Sequence, residues 1–342
     1  MKLKTLSILT GFLFAISIVV FLNENRRGTD LLSGSDYIKG LDIGKVQKIA
    51  LHFKEGKKIT LARSDSRFIL EDHKSYPAAS NKINDLIFQI ASLRVREKVG
   101  SNVGEDDLKK YELDQKSKQY LVEIFDNDGK KTVAFRVGKD YKGKGNYLYK
   151  EGGKDVYLSE NPFRLNSSPK DFINTILFDI GKEKIEKIEL ESQAKIELAK
   201  EGDAFVVKTP SKKKFKKEKI DEYVGSFSSV GFEDYYSYSD PKVRGLNFNK
   251  QIRVLLKNKL IYRMGLAKDK KNHFIKLNAS IDESSQKIVI HKDDGQDKLK
   301  NIEDVVKAQG KAQRINLERG GWIYQIDEAT YKKLVVGTSF FM

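Results

Sequence analysis

The sequence contains no cysteine. That absence excludes disulfides, lipoprotein attachment, thiol catalysis and cysteine metal sites together. Histidine is nearly as scarce. The four residues, His52, His73, His273 and His291, have none of the spacings that bring imidazoles onto one metal ion. The chain lacks a G-x-x-x-x-G-K-[ST] phosphate loop and a G-x-S-x-G nucleophile elbow. Gly143-Lys144-Gly145-Asn146 is glycine-rich, but without that spacing or hydroxyl it reads as a flexible turn. Glu105-Asp106-Asp107 offers oxygen ligands for a cation. An acidic helix start explains it better, because carboxylates favour the positive end of the helix dipole. The expectation is a protein that is not an enzyme and holds neither cofactor nor metal.

Long apolar runs are also few. The only one, residues 5–22, is 18 uncharged residues, roughly 27 Å as a helix. Lys2 and Lys4 precede it, which favours a cytoplasmic N-terminus, although Arg26 and Arg27 place positive charge on the far side as well. Two readings compete: an uncleaved transmembrane anchor over residues 1–22, and a cleaved signal peptide. The run is long for a signal peptide, and no small-x-small site follows Leu22, so the anchor is preferred. The expected location is then the cell inner (cytoplasmic) membrane, with residues 23–40 as a polar tether and the bulk of the chain on the extracytoplasmic side.

Charge is plentiful and unbalanced, with a net +16 over 342 residues. Such an excess ordinarily points to nucleic acid. An exported protein meets anionic lipid headgroups, acidic envelope polymers or acidic proteins instead, and no nucleic acid is expected. Lysine scattered over solvated faces accounts for much of the excess.

Within the chain one pattern occurs twice. Asp42-Ile43-Gly44-Lys45 recurs 137 positions later as Asp179-Ile180-Gly181-Lys182. At the same offset the helix-spaced apolar residues Ile83, Leu86, Ile87, Ile90 and Leu93 pair with Ile220, Tyr223, Val224, Phe227 and Val230. Each copy starts with short alternating strands around Ile49, Leu51 and Phe53, or around Ile188 and Leu190, before that helix. Each continues with hairpins. Asp128-Gly129 marks the turn of one, and Phe135-Arg136-Val137-Gly138 parallels Tyr262-Arg263-Met264-Gly265. The expected architecture is α+β, with two tandem modules over 41–177 and 178–342. In each, a helix covers an antiparallel sheet. Residues 167–176 read as a short closing helix of the first module. The second carries an insertion of about 40 residues, 280–319, with a strand expected near 287–291 and a helix near 299–309.

With these elements in place the chain resembles a family of membrane-anchored bacterial proteins of unknown function, encoded beside gliding-motility-type ABC transporter subunits. The matching residues are the N-terminal apolar run, the Asp42-Ile43-Gly44-Lys45-Val46-Gln47-Lys48-Ile49 entry, Leu93-Arg94-Val95, Tyr111-Glu112-Leu113-Asp114 and Phe135-Arg136-Val137-Gly138. The family usually has Gly before the Leu-Asp step, where this chain has Tyr111-Glu112. What the resemblance implies is an auxiliary or scaffold subunit of an ABC-transporter-like complex, whose partners are an ABC-type permease or its associated subunits. It implies no catalytic residue.

Two clusters stand out as candidate binding residues. Lys212, Lys213, Lys214, Lys216, Lys217 and Lys219 crowd together before the second helix, a composition that suits an anionic surface or a solvated loop. Phe232, Tyr235, Tyr236 and Tyr238 form an aromatic run after it, suited to an interface or a sugar ring. In an alternating strand Phe232, Tyr236 and Tyr238 share one face and Tyr235 takes the other, which a sheet core also explains.

Overall fold

The computed structural model describes residues 31–342 except 66, 193, 211–213 and 283–295. The chain divides into two compact units, Met1–Ile173 and Asn174–Met342. In the first unit, alternating apolar segments make ten strands. They are β1 (Leu31–Asp36), β2 (Lys48–Phe53), β3 (Lys58–Ser64), β4 (Arg67–Leu70), β5 (Tyr76–Pro77), β6 (Arg94–Gly100), β7 (Tyr120–Phe125), β8 (Lys131–Asp140), β9 (Asn146–Lys150) and β10 (Val156–Ser159). All pair antiparallel, in the order β1-β6-β10-β9-β8-β7-β2-β3-β4-β5. The β7–β8 hairpin closes where Asp128-Gly129 places it. The Asp126 carboxylate accepts from the amides of Asp128 and Lys130, at 3.0 and 2.9 Å. Gly129 sits at φ 71°, a left-handed value that glycine adopts without strain.

The second unit contains β12 (Ile185–Glu191), β13 (Lys195–Glu201), β14 (Ala204–Thr209), β16 (Asp234–Ser237), β17 (Lys250–Leu256), β18 (Leu260–Asp269), β19 (Asn272–Ile281) and β20 (Trp322–Ile326). Their order is β14-β13-β12-β17-β18-β19-β20-β16. It matches β4-β3-β2-β7-β8-β9-β10-β6 strand for strand. A separate pair joins β11 (Ile176–Phe178) to β15 (Val230–Gly231).

Helices are few. In the first unit α1 (Ser80–Ala91) buries Ile83, Leu86, Ile87 and Ile90, and α2 (Glu105–Lys110) buries Leu108. In the second, α3 (Lys217–Gly225) buries Ile220, Tyr223 and Val224. Each such side chain is worth about 1.5–3 kcal/mol on leaving water. The long α4 (Gln296–Arg319) and the short α5 (Glu328–Leu334) pack against β19. Because β19 pairs with β20 only through residues 273–276, its later backbone lies on an open edge. Asn316 of α4 closes that edge. Its amide donates to the Ala279 carbonyl at 2.7 Å and its oxygen accepts from the Ala279 amide at 2.7 Å.

These findings correct the expected α+β class. Both units are mostly antiparallel sheet, and their amphipathic helices do not form a covering layer. Instead α1 packs beside β4 and α3 beside β14, at one end of each sheet. The helical periodicity is real, but nine to twelve residues cannot cover eight or ten strands. The membrane-spanning helix expected over residues 1–22 finds no support among the described residues. No helix among the described residues is long and apolar enough to cross a membrane, and residues 1–22 lie outside them. Residues 31–38, expected as part of a tether, are β1 followed by the buried Tyr37 and Ile38. The closing helix expected over 167–176 is a short 3-10 turn, Pro169–Phe172, before β11. The helix expected near 299–309 is the longer α4, whereas the strand expected near 287–291 falls outside the described residues.

One histidine should make the second unit sensitive to acid. His273 on β19 is buried and stacks on Tyr331 of α5, ring centroids 4.6 Å apart. Burial, followed by the charge of Lys268, holds its pKa below the ordinary histidine value. The unfolded chain therefore takes up this proton more readily than the fold does. Stability from the neutral ring is complete above the ordinary value and declines as pH falls through and below it. The urea midpoint should drop between about pH 7.5 and about pH 5.5. His273→Phe should flatten that drop; a variant with the parental pH profile would rule out this origin.

Candidate functional site

The two stretches Tyr111-Glu112-Leu113-Asp114 and Phe135-Arg136-Val137-Gly138 meet in space. After α2, Asp114 caps a turn by accepting from the amides of Lys116 and Ser117, at 3.0 and 3.2 Å. That turn holds residues 111–114 across β8, and the Lys139 amide donates to the Tyr111 carbonyl at 3.1 Å. Alternation along β8 puts Phe135 and Val137 on one face and Arg136 on the other, yet all three are buried. The Arg136 side chain is only 6% exposed. Its guanidinium donates twice to Glu151, at 2.6 and 3.1 Å, once to the Leu113 carbonyl at 3.0 Å, and at a longer 3.5 Å to Glu105. It also lies 5.5 Å from the ring centroid of Tyr149. Burial opposes its charge most strongly, but Glu151, joined by Glu105 and Tyr149, outweighs burial and raises its pKa.

On the first unit, residues 37–46 run beside β8, and two adjoining cavities of about 260 and 210 Å³ open between them. They share Lys39, Thr132 and Val133. Asp42, Lys45 and Asp126 line one; Tyr37, Lys150 and Glu151 line the other. Tyr37 is 3% exposed, and its phenol is pushed well above its ordinary pKa, first by burial and then by Tyr157 and Tyr149. Its hydroxyl is a buried side-chain polar atom with no hydrogen-bond partner among the described residues. The Lys150 ammonium lies 5.1 Å from the Tyr37 ring centroid, a cation–π contact. Burial first, and then the charge of Lys39, lower the Lys150 pKa.

The residues singled out from sequence are placed as follows. Lys212 and Lys213 lie outside the described residues. Lys214, Lys216 and Lys217 are exposed at the start of α3, with no carboxylate partner among the described residues. Lys219 is bound, pairing with Glu222 at 2.8 Å and lying 5.1 Å from the Phe340 ring centroid. Among the aromatics, Phe232, Tyr235 and Tyr236 are buried, and only Tyr238 is half exposed, at 50%. Tyr236 packs with Phe274 and Val243 on one face of the sheet, while Tyr235 meets Trp322 edge-on at 5.6 Å on the other. The aromatic run is therefore largely core on both faces.

A family model described as "Domain of unknown function (DUF4340)" matches residues 69–248, more than half of the chain. The chain belongs to this family. The DUF4340 match starts in β4 and runs past β16, so it includes the Arg136–Glu151 pair, Lys150 and the aromatic run. Neither a curated protein nor a solved structure matches the chain.

Sequence reasoning missed Arg136, Tyr37, Lys39 and Lys150. Arg136 carries a usable signal, a charged residue between apolar neighbours in a segment already marked by the resemblance. Tyr37 and Lys39 carry none, because they stand in a stretch whose composition reads as a linker.

Proposed function

We propose that this DUF4340 protein is a binding subunit, an accessory or scaffold component of an ABC-transporter-like complex that works by protein–protein interaction. One observation carries the choice of binding over catalysis. The strongly paired charges of both units are held by partners inside the chain and stitch neighbouring strands together. Arg136 is bound by Glu151, Glu123 by Lys131 and His52, and Glu189 by Lys187 and Arg253. The transporter context rests on the resemblance of the motif segments. The test is affinity purification from native membranes in mild detergent. A permease or substrate-binding subunit should co-purify or crosslink; recovery of the chain without either would end this reading.

A second reading is favoured by the lysines that open α3. Lys214, Lys216 and Lys217 stand at the helix end where cations are disfavoured, and no described carboxylate neutralises them. An anionic envelope polymer or lipid headgroup would do so, at about 1 kcal/mol per charge near a membrane surface. The full chain should then pellet with phosphatidylglycerol vesicles at low salt and be released by moderate salt. Triple replacement of these lysines by Glu should abolish pelleting, and equal pelleting of both proteins would refute it.

A further inference from the structure

The cleft beside β8 has an unbalanced set of charges. Its three carboxylates are already engaged. Asp42 accepts from the Gly44 amide at 3.0 Å and faces Lys45 at 3.6 Å, Asp126 is tied into its own turn, and Glu151 is held by Arg136. Lys39 and Lys150 have no carboxylate partner among the described residues, and Lys150 is close enough to Lys39 to feel its charge. Tyr37, packed beneath Lys150, brings the unpartnered hydroxyl. Two cations without a carboxylate partner line one cavity with a tyrosine whose hydroxyl is unused, an arrangement that an oxyanion would complete. The carboxylates add a second requirement. Asp42 and Asp126 keep lone pairs that accept hydrogen bonds from hydroxyls, which a bare anion does not offer. Singly, at about 260 and 210 Å³, the cavities fall below the ~300–1,000 Å³ of drug-sized sites, and together they reach only the lower part of that range. That volume suits a ligand no larger than a monosaccharide derivative.

We propose that this cleft binds a small hydroxylated anion, a sugar acid or a sugar phosphate. Lys39 and Lys150 hold its anionic group, and Asp42 and Asp126 accept from its hydroxyls. Tyr37 donates to the ligand once its hydroxyl is reached. This site is independent of the transporter reading, since it needs no protein partner.

The experiment is calorimetric titration of the full chain with glucuronate and with glucose 6-phosphate, alongside glucose and inorganic phosphate. At least one sugar anion should bind saturably, and which one does identifies the anionic group. Glucose should not bind. Lys39→Met and Lys150→Met should each weaken binding by about tenfold or more, as expected for loss of a charge-assisted bond. Tyr37→Phe should weaken binding by about threefold or more and leave the Tm of the free protein unchanged or raised by up to about 3 °C, because it removes a buried hydroxyl without a partner. A Tm that falls would mean that the hydroxyl is already satisfied, and would overturn its role. Absence of saturable heat up to about 10 mM, a limit well above ordinary affinities, would overturn the site. So would binding that Lys150→Met leaves intact. Equal affinity for inorganic phosphate and glucose 6-phosphate would overturn the sugar assignment.

Discussion

Replacing Glu151 by alanine should destabilise the first unit by about 3 kcal/mol, the lower end of the cost of breaking a buried ion pair. The buried Arg136 guanidinium would lose two of its hydrogen bonds and keep only the Leu113 carbonyl at 3.0 Å and the largely exposed Glu105 carboxylate at a long 3.5 Å. Glu151→Gln should cost less, since an amide oxygen still accepts one bond. The double variant Arg136→Met with Glu151→Leu should recover part of the loss, because an apolar pair of similar volume avoids desolvation of both charges. Hydrogen exchange along β8 and β9 reads the first unit separately, which matters because a chain of two units need not unfold in one step. A loss under about 1 kcal/mol for Glu151→Ala would show the pair to be effectively solvated.

Gly138→Ala should be comparably damaging, at about 3 kcal/mol, for a steric and not an electrostatic reason. A β-carbon at Gly138 would stand 2.2 Å from the Tyr111 carbonyl oxygen, 2.9 Å from a Leu113 methine carbon and 3.1 Å from the Glu112 carbonyl oxygen. Backbone cannot yield there without breaking the bond between the Lys139 amide and the Tyr111 carbonyl, and without displacing the carbonyl that Arg136 uses. Gly265 is the matched control, because it ends the parallel segment in the second unit. A β-carbon there meets Lys276 Cε at 2.8 Å, the far end of a flexible side chain, and the expected cost is about 1 kcal/mol. Equal destabilisation by the two substitutions, measured by exchange in each unit, would contradict the argument.

Legibility of the fold followed the range of the interaction responsible. Hairpin turns and amphipathic helix faces are local, and Asp128-Gly129 and the buried face of α1 stand where their residues put them. The α+β class failed because periodicity reports which face of a helix is apolar and not how much sheet it covers. The linker-like stretch that became β1 failed for a related reason. A strand added at a sheet edge gains its stability from the partner backbone of β6, and its own composition carries little of that information. The candidate cleft was illegible on the same ground, since residues 37–46 and 126–151 come together only through sheet pairing.

What the sequence by itself determined is local and compositional: no thiol chemistry, a strongly basic surface, the spacing of apolar side chains, and the turns between strands. Burial was decided by tertiary structure even where the residues are identical. In Asp42-Ile43-Gly44-Lys45, Ile43 is 49% exposed and Asp42 caps its own turn; in Asp179-Ile180-Gly181-Lys182, Ile180 is 2% exposed and Asp179 accepts from the distant Ser229 amide. Arg136 and Arg263 diverge in the same way, one sealed against Glu151 and the other exposed beside Ser280. A side chain's surroundings are supplied by segments far away in the chain, so equal residues acquire different solvation, different partners and different uses.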